Sequence, residues 1–369
     1  MKKTKNVKIA IDSFLTIRQT RGISSYIDRL SALIKKNKDK NITFVFIRPK
    51  IKKLKSGEKF KSIYLNFYLI IWEQFIFPIK AKILHCDYVI YPSNTGSVYL
   101  SRFLNLKFIL VLHDVYFTLN NNKYPQYFNV SQFLSHIYRK ILIRKLCSNA
   151  SKIITVSKFA ERMIIKYDKG TKNKIIILKN CINIKKKIIS KKVSKSILLV
   201  TGFHPQKNLQ NILPFLFDKL VKFNIFIVGI SKENISKLVN NNLIKKGFKN
   251  NKINIYSHLE KKKLYKVYSR TEIFLMPSIF ESFSIPLLEA CYFNNMIICS
   301  ETGATKETTR NMALYYNNNN LNNLKKKIDY LSSLSNKNKK KILYNQSKIL
   351  KKNNKNFDNK NFNVLLNSL

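Results

Sequence analysis

Apolar and polar positions follow two alternating patterns along the chain. Short runs rich in β-branched and aromatic residues recur as KIAID (8–12), NITFVFI (41–47), YVIYP (88–92), KFILVLH (107–113), KIITVS (152–157) and KIIIL (174–178). They recur again as SILLVTG (196–202), NIFIVG (224–229), INIY (253–256), EIFLMPS (272–278) and MIICS (296–300). Near-continuous apolar runs of this length predict strands buried on both faces. Between them, Ile23, Tyr26, Ile27, Leu30, Leu33 and Ile34 recur at helical spacing, as do Leu209, Ile212, Leu213, Leu216 and Leu220. Such spacing predicts helices with one apolar face. Strands alternating with amphipathic helices imply α/β architecture with parallel sheets covered on both sides. The alternation runs twice, interrupted by the polar stretch NIKKKIISKKVSKS (183–196), so two Rossmann-like, doubly wound domains are expected, over 1–185 and 186–350. Ligands of such sheets bind beyond the carboxyl ends of the strands, here in the cleft the domains are expected to face. From Ser335 the chain holds nine Lys and ten Asn yet keeps apolar positions at Ile342, Leu343, Ile349, Phe357, Phe362 and Leu365. Two surface helices are expected there, the last, over 351–369, crossing back to the first domain.

Composition adds a puzzle. Lys+Arg number 69 against 19 Asp+Glu, a formal net charge of +50, which reads first as a nucleic-acid or membrane-surface protein. Only ten of the 69 are Arg, the residue suited to bidentate phosphate and base contacts. Lys, Asn and Ile share A/T-rich codons, so coding bias accounts for much of the charge. Five scattered cysteines (Cys86, Cys147, Cys181, Cys291, Cys299) form no C-x-x-C, which fits a reducing cytoplasm. Asp12 breaks the first apolar run too early for a signal peptide. The most apolar stretch, 62–79, carries Asn66, Glu73 and Gln74 and reads as a buried or interfacial helix, not a membrane span. The basic helix FLSHIYRKILIRKL (133–146) presents either a solvated face or a docking face for anionic lipid.

The charge is not uniform. From Thr271 to Thr305 there is no Lys or Arg, while four of the ten Glu (Glu281, Glu289, Glu301, Glu307) fall between 281 and 307. Burial would exclude Lys, but buried carboxylates are costly without partners, so the window reads as a ligand site. Within MPSIFESFSIPLLEACYFNN a strand ends at Met276 and a helix begins near Pro286, whose free N–H groups and dipole favour an anion. Glu281 precedes that helix and Glu289 lies about one turn into it, two acceptors beside a phosphate seat.

These residues resemble the retaining glycosyltransferases of family 4, which have the GT-B fold and an E-x7-E motif written PSxxEGFGxPxxEA. Pro277, Ser278, Glu281, Phe283, Pro286, Glu289 and Ala290 match it. RGISSYIDRL (21–30) is similar to the family's first loop and helix, LVLHD (110–114) to its histidine motif and ITVSKFAERMI (154–164) to its VSxxs segment. LKNCIN (178–183), GFHPQKNL (202–209) and GATKET (303–308) stand in the places of its PNGID stretch, phosphate-lysine loop and GsipEv segment. The GISSY and WEQ (Trp72–Gln74) segments resemble mannosyltransferase-like members that build bacterial surface polysaccharide.

The resemblance implies a metal-independent hexosyltransferase using a nucleotide-diphosphate sugar, with retention of configuration. No two Asp lie two apart, so the D-x-D of metal-dependent transferases is absent from the sequence. By the same resemblance Lys207 contacts the donor diphosphate, with Gly22, Ser284 and Ile285 beside it; Glu281 binds hydroxyls of the transferred sugar and Glu289 the ribose. His113 stands by the reacting carbon, and the base lies near Gly229 and Tyr256–Leu259. The implied partners are a polyprenyl-diphosphate-linked glycan and the anionic inner face of the membrane, in O-antigen or capsule synthesis. Ser282 and Ser284 replace family glycines, Phe203 stands where some members carry Arg, and Ser257 replaces a frequent Gly. A nucleic-acid-binding protein and a catalytically weak partner protein are the competing readings.

Overall fold

The computed structural model describes residues 6–17, 22–35, 41–50, 67–120, 122, 124–180, 182, 184, 188–220, 223–250, 252–354 and 359–368. Arg21, residues 62–66, Cys181, Asn183 and Phe357 lie outside them. The chain divides into two compact units, one of 1–118, 129–179 and 358–369, the other of 119–128 and 180–357.

The first unit is built on β1 (Val7–Asp12), β2 (Ile42–Ile47), β3 (Tyr88–Tyr91), β4 (Lys107–Val111), β5 (Lys152–Thr155) and β6 (Ile175–Ile177). All pair in parallel in the order β2-β1-β3-β4-β5-β6. The second contains β7 (Ser196–Val200), β8 (Asn224–Val228), β9 (Lys252–Tyr256), β10 (Ile273–Met276), β11 (Met296–Ser300) and β12 (Leu314–Tyr316). These are also parallel, in the order β12-β11-β10-β7-β8-β9. Both sheets have a point where the strand order reverses, between β1 and β3 in the first unit and between β7 and β10 in the second. The crevice at such a point is where open α/β sheets seat ligands.

The residue pattern explains the layers. Every residue of β3, β10 and β11 is buried, as strands covered by helices on both faces must be. The helix Ile23–Ile34 buries Tyr26, Ile27, Leu30 and Leu33, and Leu209–Lys219 buries Leu209, Ile212, Leu213 and Leu216. The eleven apolar runs each form a strand, eight of them trimmed by one to three residues, most at the carboxyl end, where the chain turns into the loop. β12 has no counterpart among them: three residues at a sheet edge, followed by four Asn, are too short to show a period. The helix over 67–83 contains a π turn at Trp72–Ile76.

Burial also accounts for most of the Lys-free window. Between Thr271 and Thr305 only Asn294 and Glu301 are exposed, because β10, β11 and the helix Ile285–Tyr292 form core there. The polar tail does form helices, Asn336–Asn354 and Asn359–Asn367. In the second of these Phe362 stacks on Phe44 at 6.1 Å, and Asn361 Nδ2 donates to the Ile177 carbonyl at 2.8 Å, both within the first unit. Among the described residues no helix is long and apolar enough to cross a membrane.

Candidate functional site

In the second unit, the chain leaving β7 turns through a short 3-10 helix, Pro205–Lys207. His204 caps its start and Asn208, in the left-handed region at φ 56°, starts the next helix. Lys207 is thus delivered just beyond the carboxyl end of β7. The chain leaving β10 runs through Ser278–Ser284 into the helix Ile285–Tyr292, with Ser284 as its N-cap and Pro286 in its first turn. The two segments are tied together by a backbone hydrogen bond from Ile279 N to Gln206 O, 2.8 Å. Lys207 Nζ then meets Glu281 Oε1 at 2.6 Å, with the two side chains 25% and 10% exposed. A pair this shielded is worth more than an exposed one, and each ion compensates burial of the other.

The backbone around Glu281 is held from its other side by the loop after β11. Ala304 N donates to Glu281 O at 2.9 Å. Gly303 has φ +61°, and a Cβ there would lie 2.2 Å from the same carbonyl, so only glycine fits. Gly229, which ends β8, is also obligatory: at φ +105° its Cβ would lie 2.0 Å from Thr201 O, and its amide donates to Tyr256 O at 2.7 Å. Ser284 Oγ accepts from Leu287 N at 3.4 Å. The Ser284 and Ile285 amides find no acceptor among the described residues, leaving two donors at a helix start beside an ammonium. Glu289 follows one turn along the same helix, half-buried. Lys207, Glu281, Ser284 and Ile285 therefore come together at the switch point of this sheet.

Two departures from the family pattern are explained. Neither Ser282 nor Ser284 has left-handed backbone, so this loop does not require the missing glycines. Phe203 packs against Phe128 with ring centroids 4.9 Å apart and planes tilted by 31°, within the same unit, and does structural work where an arginine would do chemistry. A cavity of about 500 Å³ lined by Ser190, Lys192, Glu272, Asn294 and Lys339 lies at the amino ends of β10 and β11, opposite these residues.

In the first unit His113 follows β4. Its Nε2 lies 3.0 Å from the Pro92 carbonyl and its amide donates to Asn94 Oδ1 at 2.6 Å. A carbonyl partner fixes the proton on Nε2, leaving Nδ1 as an acceptor. Burial lowers the imidazole pKa, opposed by the Pro92 hydrogen bond and the charge of Asp114, so the ring is neutral at neutral pH. Tyr26 meets the ring edge-on at 5.1 Å. Gly22 caps the helix Ile23–Ile34 with φ −75°, and a Cβ there would touch nothing within 4 Å, so the fold itself does not demand glycine.

Sequence reasoning passed over two buried carboxylates of this unit, Glu73 and Asp12. Glu73 is 1% exposed and accepts from Thr95 Oγ1 (2.6 Å), Tyr138 OH (2.7 Å) and Gln74 Nε2 (3.2 Å). Asp12, at the end of β1, accepts from Phe14 N and Trp72 Nε1, both at 2.9 Å. Burial pushes Glu73 up to about 7 and Asp12 to about 6, against the pull of those donors. Thr95 belongs to the loop after β3 that also supplies Pro92 and Asn94, so Glu73 braces the segment that orients His113. The signal was present in WEQ, read for its resemblance and not for its carboxylate. Among the described residues no group of three or more His, Cys, Asp or Glu is arranged to hold a metal ion.

Comparison with known proteins gives the same picture at family level. Residues 182–349 match the family described as Glycosyl transferases group 1, and residues 37–186 match Glycosyltransferase Family 4. The O-antigen chain mannosyltransferase RfbU of Salmonella typhimurium is 26% identical over 228 residues, 59% of this chain and 63% of RfbU. The match thus spans less than two thirds of that relative. A crystal structure of a glycosyltransferase from Rickettsia africae ESF-5 is 20% identical, covering 95% of this chain and 94% of that one, with a TM-score of 0.58. The Anabaena protein HepE, solved with UDP and glucose, is 12% identical over 98% of this chain and 100% of its own, with a TM-score of 0.67.

Proposed function

Because the chain is a glycosyltransferase of the GT-B type, we propose that it moves a hexose from a nucleotide-diphosphate sugar to a lipid-linked oligosaccharide in surface-polysaccharide synthesis, with retention of configuration and without a metal ion. Mannose is the sugar to test first, given the likeness to RfbU. The observation that carries the reading is the Lys207–Glu281 pair at the switch point, beside the open amides of Ser284 and Ile285.

In the reaction the bond from the anomeric carbon to the diphosphate breaks and a bond to the acceptor oxygen forms on the same face of the sugar. The acceptor's proton passes to the leaving diphosphate. Negative charge grows on that diphosphate, and an ammonium with a helix N-terminus stabilises it more in the transition state than in the ground state. We assign that role to Lys207, Ser284 and Ile285, with Gly22 giving close approach. Glu281 takes hydroxyls of the transferred sugar, Glu289 the ribose and neutral His113 the sugar ring. The acceptor is assigned to the inner face of the cytoplasmic membrane.

A thermal-shift panel of GDP-, UDP-, dTDP- and CMP-linked sugars tests the donor: one nucleotide is expected to raise Tm. Transfer from that donor to a polyprenyl-diphosphate glycan tests the acceptor and should persist in excess EDTA. A chain that no nucleotide stabilises and that binds oligonucleotides with steep salt dependence would overturn the reading.

A further inference from the structure

The chain leaves the first unit after Thr118, gives Leu119–Phe128 to the second, and rejoins the first at Asn129. Its sequence there, LNNNKYPQYF, joins a run of Asn to a Pro among aromatic residues. No helix or strand forms among the described residues of this strap, so its own turns and side chains must hold it. Tyr124 N donates to Asn120 O and Gln126 Nε2 to Tyr124 O, both at 2.9 Å. Gln126 is buried, which is uncommon for an amide side chain on a loop. Ordered loops without secondary structure carry function when a rigid scaffold holds them.

Two rings of the strap meet different loops of the candidate site. Phe128 packs on Phe203, and Tyr124 meets Phe280 edge-on with centroids 6.5 Å apart and planes at 85°. Phe203 lies on the loop after β7, four residues before Lys207. Phe280 lies on the loop after β10, is buried, and directly precedes Glu281. The same two loops are joined by the bond from Ile279 N to Gln206 O. A leucine would fill such space without fixing an angle, whereas each ring pair adds directional packing worth about 0.5–1.5 kcal/mol beyond its burial. One strap gripping both loops fixes where Lys207 and Glu281 stand relative to each other. A misplacement of about 1 Å in such a group can cost about a hundredfold in rate.

Granting Lys207 and Glu281 their proposed donor roles, we infer that Tyr124 and Phe128 are positioning residues of the donor site, acting through Phe280 and Phe203. Neither needs to touch the donor; they hold the loops that do. Phe203, standing where some family members carry Arg, is anchored by a ring instead of offering a charge.

The full chain is compared with its Phe128→Ala, Tyr124→Ala and Phe128→Tyr variants, well below the lowest Tm among them. Calorimetry with GDP, UDP and dTDP reads the donor seat. Amide hydrogen exchange at Ile279 reads the tie between the loops, with the β10 amides reporting global opening. Each alanine variant should weaken whichever diphosphate binds by about tenfold and speed exchange at Ile279 more than at β10. Phe128→Tyr, which keeps the ring, should restore both to within about twofold. Phe128→Ala combined with Phe203→Ala should bind no more weakly than either alone, since the two rings form one contact. Two results would overturn the inference. One is a lower Tm in both alanine variants with diphosphate affinity unchanged, which would make the rings plain core packing. The other is Ile279 exchange that keeps step with β10 in every variant. If none of the three diphosphates binds the unaltered chain, the donor reading falls, and Ile279 exchange alone decides whether the strap holds the loops.

Discussion

Lys207 and Glu281 neutralise each other in the free chain, and this sets what each substitution should do. In the roles proposed for them, a diphosphate competes with Glu281 for the Lys207 ammonium, so the carboxylate would oppose the nucleotide while serving the sugar. Lys207→Ala should weaken binding of a free nucleoside diphosphate and cut turnover about a hundredfold. Glu281→Gln should cut turnover similarly yet tighten the sugar-free nucleotide severalfold, a split that calorimetry beside steady-state kinetics would detect. Parallel losses in both variants would mean that the pair acts only as a structural tie. Gly303→Ala forces a side chain to within 2.2 Å of Glu281 O at a positive φ. Displacing that backbone should cost about 1–2 kcal/mol in strain alone and weaken donor binding in a thermal-shift titration. Lys207 and Glu281, which the fold brings into contact, stood out in the sequence because their local strings are distinctive. Glu73 was not, since its partners Thr95 and Tyr138 lie 22 and 65 residues away and only folding gathers them.

Among the elements, the π turn and the loop after β3 form one assembly braced by Glu73, and its charge state should show in stability. The carboxyl titrates at about 7 in the fold against 4.5 ordinarily. Between those values the folded chain binds more protons than the unfolded one, so stability falls as pH rises from about 4.5 to about 7, by at most about 1.4 kcal/mol per unit. Asp12, raised from 3.8 to about 6, adds a similar loss in an overlapping lower range. Thermal melts from pH 4.5 to 7.5 should therefore show a shallower decline for Glu73→Gln than for the unaltered chain; parallel curves would place the titration elsewhere. Strands were readable in sequence because full burial leaves an unbroken apolar run. β12 was not, because an edge strand of three residues leaves too little pattern to read. The π turn was not either, because inserting one residue into a helix changes which side a row faces without changing its composition.

For the molecule as a whole, the +50 charge divides into parts with different causes. The Lys-free window is mostly burial, and what remains meaningful in it is the placement of Glu281 and Glu289. The proposed donor residues Lys207, Glu281 and Ser284 all belong to the second unit. The double α/β repeat announced two sheets plainly. The order of strands within each sheet, and so the switch points, was not in the sequence pattern, because periodicity reports burial and not which strands become neighbours.

The helix Asn359–Asn367 adds a constraint in time. It belongs to the unit that starts with β1, and its Asn361 and Phe362 engage β6 and the Phe44 ring of β2. During synthesis the first sheet emerges from the ribosome early, yet two of its strands wait for partners translated after the whole of the second unit. The second unit, lacking nothing that comes later, can finish first. The order of completion would then run opposite to the order of translation, and the first unit would pass that interval with Phe44 uncovered.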